Sequence, residues 1–214
     1  MIDGGGGGGG GGGDGGESGV TTRYWDCCKV SCAWSANVAS GRNVNSCNKD
    51  GASIADKNAQ SGCNGGPSYS CSNNQPITVN DNLSYGFAAF SRPNSCCKCY
   101  QLTFTNTAVA GKTMIVQATN TGDDLGQGHF DLMIPGGGVG IFNGCSAQWG
   151  APSDGWGQKY GGVSSRDQCN QLPSQLRQGC YWRFDWFKNA QNPNVNFKLV
   201  SCPSQLTSIS GCAS

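Results

Sequence analysis

Residues 128–145 read GHFDLMIPGGGVGIFNGC, a short apolar stretch that leads into a glycine-rich turn. Successive side chains of a β-strand point to opposite faces, so Phe130, Leu132 and Ile134 share one face and Asp131 stands on the other. The glycine run lacks the final glycine of a dinucleotide-binding fingerprint and the lysine of a phosphate-binding loop, which favours a turn. The stretch therefore predicts a strand over Phe130–Ile134 whose carboxyl group faces away from the packed side chains.

The same alternation of apolar and polar residues predicts further short strands. They lie at Tyr100–Asn106, Lys112–Thr119, Tyr181–Phe187 and Phe197–Val200. Short helices are predicted over Leu83–Ala89, because Asp81 is a favourable N-cap, and after Ser164 or Ser165. Short strands joined by Gly-rich turns, with few helices, predict a mainly β fold in which long loops wrap a barrel or a sandwich.

Composition limits the classes of partner. Charged residues make up 13% of the chain and its formal net charge is +1, whereas an average soluble protein is about 25% charged. Nucleic acids and anionic membranes favour clustered Lys and Arg, so we expect neither as a partner. No stretch approaches the roughly 20 apolar residues that a membrane-spanning helix needs. We expect a monomer built as one domain, since 214 residues suit a single core.

Cysteine is the strongest compositional signal, with 14 residues between Cys27 and Cys212. If all of them pair, they form seven bridges, each stabilising the fold by roughly 2–4 kcal/mol. Such a chain needs an oxidising compartment, which predicts secretion to the extracellular space. The alternative is zinc, for which Cys96 and Cys99 have a suitable spacing, but a second such pair is missing and His129 is the single histidine.

The first sixteen residues read MIDGGGGGGGGGGDGG and have neither the basic nor the apolar region of a signal peptide. We expect residues 1–16 to form a flexible Gly-rich tail, and a secretory signal would have been removed or replaced. Residues 17–214 are then expected to form the folded domain.

Elimination leaves carboxylates as the candidate catalytic groups. A single histidine excludes multi-histidine metal sites, no G-x-S-x-G elbow is present, and paired cysteines cannot act as nucleophiles. No cofactor or metal is implied. Every acidic residue after Glu17 is an aspartate, so acid–base chemistry would fall to a pair of these: Asp26, Asp50, Asp56, Asp81, Asp123, Asp124, Asp131, Asp154, Asp167 and Asp185.

Three of these aspartates lie among aromatic residues: Asp26, Asp131 and Asp185. Aromatic faces stack on the apolar faces of sugar rings, and apolar neighbours keep a carboxylic acid protonated. Asp185 shares a predicted strand face with Arg183, so we interpret it as half of a structural ion pair. Asp26 and Asp131 remain as the candidate acid–base pair.

The stretches TRYWDCC (residues 22–28), GHFDLMIPGGGVGIFNGC and CYWRFDWFKN (residues 180–189) resemble glycoside hydrolase family 45, the small fungal-type endoglucanases. The resemblance extends from Thr21 to Cys212. It implies a six-stranded double-psi β-barrel with an open groove. It also implies endo-hydrolysis of β-1,4-glucan, as in cellulose, with inversion at the anomeric carbon.

The resemblance also assigns site residues. Asp26 corresponds to the general base, Asp131 to the general acid, and Asp124 to an auxiliary carboxylate on a loop near the acid. Substrate-binding positions match Thr22, Tyr24, Trp34, His129 and Tyr160, with Trp34 as a sugar-stacking residue. A departure from the family is the insertion-like segment 151–156, which we interpret as a surface loop rather than as an extra sugar contact through Trp156.

Two alternatives remain open at this level. An expansin-like, non-hydrolytic cell-wall-loosening protein resembles the same barrel and keeps the HFD aspartate, but it lacks a counterpart of Asp26. An inactive carbohydrate-binding or defence protein would need only the aromatics and cysteines, and it leaves the pairing of Asp26 with Asp131 unexplained.

Overall fold

The computed structural model describes residues 16–214, so the tail predicted for residues 1–16 lies, except for Gly16, outside the described residues. The strands are β1 (Glu17–Tyr24), β2 (Ser46–Cys47), β3 (Tyr69–Ser70), β4 (Ile77–Asn80), β5 (Leu83–Phe90), β6 (Cys99–Phe104), β7 (Thr113–Asn120), β8 (His129–Met133) and β9 (Asn194–Val200). The α-helices are α1 (Cys145–Trp149), α2 (Ser174–Asp185) and α3 (Ser204–Ser210). Short 3₁₀ turns span Ser31–Ala33, Ser35–Asn37, Gly62–Asn64 and Arg166–Gln171.

The main sheet closes on itself. Its strands follow the order β4-β5-β7-β6-β9-β1-β8, and an additional pairing of β5 with β8 joins the two sides into a six-stranded barrel. Strands β1 and β8 are parallel, as are β5 and β7, while the other barrel pairs are antiparallel. The predicted fold class is confirmed: a mainly β, six-stranded double-psi barrel with disulfide-pinned loops and a few short helices.

The barrel interior is aromatic. Phe90 and Phe130 stack with ring centroids 4.1 Å apart, and Phe197 meets Phe130 edge-on at 4.9 Å. Phe130, Leu132 and Ile134 are fully buried, whereas Asp131 is partly exposed. The alternation predicted for this stretch is therefore confirmed, and the packed face of β8 holds Asp131 toward the outside of the core.

Several elements agree with the sequence-based expectations. The strands predicted at Tyr100–Asn106, Lys112–Thr119 and Phe197–Val200 correspond to β6, β7 and the second half of β9. The short helix predicted after Ser165 is the 3₁₀ turn Arg166–Gln171. Strand β1, which the sequence analysis did not predict, carries the residues that lead into Asp26.

The helix predicted over Leu83–Ala89 is wrong, because these residues form β5. Asp81 lies in the tight turn of the β4–β5 hairpin rather than at a helix start. Strand β5 lies between β7 and β8 and is buried on both faces over most of its length. A strand of this kind reads as a continuous apolar run, and periodicity alone does not separate it from a buried helix.

The strand predicted at Tyr181–Phe187 is also wrong, because most of this segment belongs to helix α2. Leu176, Gly179, Cys180 and Arg183 are buried at the three- and four-residue spacing of a helix face. The dense aromatic residues suggested a strand, but Trp182 and Trp186 stack on each other one helical turn apart, with ring centroids 5.3 Å apart.

All 14 cysteines are paired, which confirms the predicted seven bridges and overturns the zinc alternative. Cys96 bonds Cys32, and Cys99 bonds Cys202. The other pairs are Cys27–Cys145, Cys28–Cys63, Cys47–Cys71, Cys97–Cys212 and Cys169–Cys180.

The insertion-like segment 151–156 forms a loop whose tip, residues 152–154, is exposed. Trp156 is 5% exposed and turns inward, so it offers no sugar-stacking face. Among residues 16–214, no helix combines the length and apolar character that crossing a bilayer requires.

Candidate active site

Two neighbouring strands bring the predicted catalytic residues together. In the parallel pairing of β1 with β8, Thr22 lies opposite Asp131 and Tyr24 lies opposite Met133. Asp26 follows two residues after the end of β1. The pairing therefore unites Thr22, Tyr24, Asp26, His129 and Asp131, whose two groups are more than 100 residues apart in sequence.

The glycine-rich stretch 136–144 holds the backbone of Asp26. The Trp25 N–H donates to the Gly138 carbonyl, and the Gly144 N–H donates to the Asp26 carbonyl, each at 2.8 Å. Gly138 has φ +103°, and a Cβ atom there would lie 2.7 Å from the Gly161 nitrogen. A Cβ at Gly144 would lie 3.0 Å from the Asp26 carbonyl oxygen. At Gly138 backbone meets backbone without room for a side chain, and at Gly144 a Cβ would also lie 2.7 Å from the Cys63 sulfur.

The carboxyl group of Asp26 is only partly exposed and accepts a hydrogen bond from the Cys28 N–H at 3.0 Å. Burial raises its pKa to about 7, and the charge of Asp131 acts in the same direction. The Cys28 N–H opposes the shift because it favours the ionised form. The pKa of Asp26 therefore lies near neutrality, where the group can exchange protons with water.

Asp131 accepts a hydrogen bond from the Thr22 hydroxyl at 2.8 Å. Burial raises its pKa to about 6; the Thr22 hydroxyl opposes this shift, and the charge of Asp124 adds to it. The Thr22 oxygen also lies 2.6 Å from Nε2 of His129. A hydroxyl has one proton, so when Thr22 donates to Asp131 it accepts from His129, and Nε2 of the imidazole carries hydrogen.

Tyr24 lies within the electrostatic reach of both aspartates. Its pKa is raised well above the ordinary value by burial, then by the charges of Asp26 and Asp131. Its hydroxyl accepts a hydrogen bond from the side-chain amide of Asn120 at 3.0 Å. The Asn120 carbonyl oxygen in turn accepts from the Ser31 N–H at 2.9 Å, which connects the carboxyl pair to the turn that precedes Trp34.

Asp124 is exposed in the loop between β7 and β8. Its charge raises the pKa of Asp131 and opposes the lowering that burial imposes on the pKa of His129. Asp124 is therefore a loop carboxylate whose charge reaches both Asp131 and His129.

Aromatic and apolar side chains lie on segments that bond to the elements carrying the carboxyl pair. Trp34 is half-buried, and Tyr160 is 65% exposed. Tyr160 adjoins the glycine-rich stretch, where the Gly140 N–H donates to the Lys159 carbonyl at 2.8 Å. The same stretch exposes Ile141 (63%) and Phe142 (59%) between Gly138 and Gly144. The sequence analysis did not select this pair, although two large apolar residues inside a glycine-rich turn were a usable signal.

The structure corrects the interpretation of Asp185. Its carboxylate pairs with Arg166, with Nε 2.8 Å from Oδ1, and not with Arg183. Residues two apart on a helix point in different directions, which separates Arg183 from Asp185. The buried Arg183 guanidinium donates to the Val163 carbonyl at 2.6 Å and the Gly161 carbonyl at 3.3 Å, and thereby secures the loop next to Tyr160. Asp185 keeps the structural role that was predicted, with a different partner.

Paired carboxyl groups with pKa values near neutrality perform the acid and base steps of sugar-bond cleavage. A barrel that carries such a pair beside exposed aromatic rings has the properties of a glycoside hydrolase. The family model for glycosyl hydrolase family 45 matches residues 18–213. The chain belongs to this family, and it is therefore an enzyme rather than a non-hydrolytic expansin-like protein or an inactive binding protein.

Similar proteins include an endoglucanase from Cryptopygus antarcticus, 61% identical over 200 residues that make up 91% of this chain and 88% of the relative. A putative endoglucanase type K from Fusarium oxysporum is 54% identical, over 91% of this chain and 53% of the relative. An endoglucanase from Phaedon cochleariae is 48% identical, over 91% and 84%. The crystal structure of the cellulase from the Antarctic springtail Cryptopygus antarcticus superposes with a TM-score of 0.87 at 60% identity, over 91% of this chain and 96% of that chain.

Proposed function

We propose that the protein is an endo-β-1,4-glucanase that hydrolyses internal bonds of cellulose and related β-glucans by inverting single displacement. The observation that carries this proposal is the pair Asp26 and Asp131, whose pKa values are raised to about 7 and about 6 beside the same tyrosine. The names of the relatives, endoglucanase and cellulase, support the same substrate class. The substrate is a polysaccharide outside the cell, which agrees with seven disulfide bonds, and the enzyme acts there as a secreted monomer.

In this mechanism Asp131 is the general acid and protonates the glycosidic oxygen as the bond breaks. Asp26 is the general base and takes a proton from the water that attacks the anomeric carbon from the opposite side. The proton that leaves Asp131 stays on the released sugar hydroxyl, and the proton from water goes to Asp26. Inverting enzymes keep their two carboxyl groups about 6.5–9.5 Å apart to make room for this water.

The strand register leaves room for such a separation. Asp131 lies opposite Thr22, and Asp26 is four residues further along the chain. At about 3.3 Å per residue these four residues span at most roughly 13 Å. The two aspartates are thus not direct neighbours across the ladder, and their side chains must lean toward each other to enclose one sugar linkage.

Both carboxyl groups have raised pKa values, so the free enzyme can hold a proton on this pair near neutral pH. The proposed roles require that this proton is on Asp131 when substrate is bound. A bound glucan removes water from Asp131 and offers it a glycosidic oxygen, while the attacking water hydrogen-bonds to Asp26 and favours its ionised form. Substrate binding thereby favours the protonated form of the acid.

Removal of the Thr22 hydroxyl tests which aspartate is the acid. Because this hydroxyl lowers the pKa of Asp131, Thr22→Val should raise that pKa by up to about one unit. The acid must be protonated in the substrate complex, so we expect the alkaline limb of the kcat profile, which reports the pKa values of that complex, to move to higher pH. Thr22→Ser keeps the hydroxyl and should leave the profile in place. A shift of the acidic limb instead would make Asp131 the base.

The anomeric form of the first product tests hydrolysis and stereochemistry together. A β-1,4-linked cello-oligosaccharide should release the α-anomer at its new reducing end, which proton NMR resolves before mutarotation. Initial β-anomer would mean retention and would refute the single displacement. Absence of new reducing ends from carboxymethylcellulose would refute endoglucanase activity itself.

Subsites for several sugars follow from the exposed rings. Trp34 and Tyr160 offer aromatic surface, while Thr22 and His129 border the acid. Tyr24 was also expected to bind substrate, but it is only 9% exposed and its ring offers little surface for stacking. An extended substrate contacts more of these side chains than a disaccharide does, so the enzyme should cut internally and fail on cellobiose.

A further inference from the structure

Lys29 is a buried lysine next to the proposed sugar-binding tryptophan. Its side chain is 6% exposed, and its Nζ atom lies 3.5 Å from the centroid of the Trp34 ring. The ammonium also donates to the Lys57 and Ala59 carbonyl oxygens, each at 2.8 Å. One face of the indole is therefore covered by a cation that the protein backbone itself anchors.

These three neighbours all require a donor. Two are carbonyl oxygens and the third is the electron-rich face of an aromatic ring. An ammonium group has three N–H bonds and no acceptor, so the protonated lysine satisfies each neighbour with one bond. Burial lowers the pKa of Lys29, and the charge of Asp56 opposes that shift.

A second contact fastens the same loop. The Ser35 hydroxyl, directly after Trp34, donates to the Asn58 side-chain carbonyl at 2.7 Å. The 57–59 segment is thus attached to the Ser35 side chain by one bond and to Lys29 by two. The cation on the indole cannot move away without breaking two partly buried hydrogen bonds.

We propose that Lys29 is a positioning residue that holds the indole of Trp34 in place, with one face on the ammonium and the other open to a glucose ring of the substrate. This rests on the proposed function, because it takes Trp34 as a sugar contact. A ring already held in its binding orientation loses little side-chain freedom when sugar stacks on it, so more of the stacking energy appears as affinity. Lys29 acts on binding and not on the bond-breaking step.

A double-mutant cycle in an Asp131→Asn background tests the proposal, since substrate then persists. Calorimetry of cello-oligosaccharides of increasing length should show an affinity step at the length that reaches Trp34. We expect Lys29→Met and Trp34→Ala each to reduce this step, by about five- to tenfold. The double variant should bind no more weakly than Trp34→Ala alone, because Lys29 acts through the indole. Lys49→Met removes an exposed lysine and should change nothing.

The outcomes separate the two proposals. Unchanged affinity in Lys29→Met, or a loss that adds to that of Trp34→Ala, would overturn the positioning role while the glucanase proposal stands. Unchanged affinity in Trp34→Ala, or absence of an affinity step in the parent, would remove the sugar contact itself.

If Lys29→Met does not melt cooperatively, Lys29→Gln and Lys29→Arg decide the question. Lys29→Gln should lose the affinity step, and Lys29→Arg, which keeps the cation, should retain most of it. In the otherwise wild-type enzyme, Lys29→Met should raise KM and leave kcat unchanged.

Discussion

Asp131→Asn and Asp26→Asn should each lower kcat/KM on cellulose at least about a thousandfold, because acid and base catalysis each contribute factors of this size. The amide is nearly isosteric with the carboxyl group but neither donates a proton to a leaving oxygen nor removes one from water. Binding of cello-oligosaccharides should persist, since the flanking aromatic rings are untouched. Asp185→Asn is the matched control, because its carboxylate is exposed and paired with Arg166, and it should retain full activity.

A substrate with a good leaving group distinguishes the two roles. A dinitrophenyl cello-oligosaccharide needs little protonation of its leaving oxygen, so Asp131→Asn should recover much of its activity on it. Asp26→Asn should not recover, because the attacking water still lacks a base. The opposite pattern would exchange the two assignments, and appreciable turnover of cellulose by either variant would exclude that residue from its proposed role.

Asp26→Asn should stabilise the fold at alkaline pH although it lowers the activity. Burial raises the pKa of Asp26 from 3.8 to about 7, so the folded state favours its protonated form. The associated stability is fully present below about pH 4 and is lost as pH rises through 7. Asp26→Asn should therefore raise Tm at pH 8 and change it little at pH 4, as measured by calorimetry. A Tm that falls at both pH values would show structural damage instead of a lost base.

Removal of the Cys27–Cys145 bridge should be the most destabilising single-bridge change near the site. These cysteines are 118 residues apart, and the shortest remaining connection, through Cys32–Cys96, is still about 50 residues, so loop entropy predicts a loss of about 4 kcal/mol. The double change Cys27→Ala/Cys145→Ala also frees the segment directly after Asp26. We expect both a lower denaturation midpoint and a lower kcat.

The Cys169–Cys180 bridge is the comparison. It spans 11 residues, which predicts a smaller loss of about 3 kcal/mol. Its removal should leave kcat unchanged at a temperature where the variant is folded. Denaturant melts of both variants with kcat measured in parallel decide the matter, and equal effects on kcat would show that Cys27–Cys145 does not position Asp26.

Local sequence patterns predicted the strands in which apolar and polar side chains alternate. Phe130–Ile134 alternates between core and surface, and that is enough to define a strand with an outward aspartate. Leu83–Phe90 does not alternate because both of its faces are buried over most of its length. Aspartate is favoured in hairpin turns as well as at helix starts, so Asp81 does not distinguish the two. The sequence-based helix for this segment failed for those two reasons.

Some features of the site were predicted and others were not, because some depend on local sequence and others on which segments meet in the fold. The number of bridges followed from the count of cysteines, but the pairing depends on which loops meet in space. The proximity of Thr22 to Asp131 depends on a parallel pairing over 109 residues, and no local signal encodes it. The contact of the Lys29 ammonium with the Trp34 ring likewise depends on how the chain folds, and no local signal encodes it.

The parallel pairing of β1 with β8 separates the proposed catalytic residues from loops that are proposed to bind substrate. Asp131 is fixed by the strand and Asp26 by backbone bonds to the glycine-rich stretch, which in turn packs on residues 159–161. The segment 57–59 bonds instead to Lys29 and Ser35. Substitutions in that segment should change which polysaccharide fits without moving the two aspartates. Variants with new substrate preferences are therefore best sought in this loop, with the two strands kept intact.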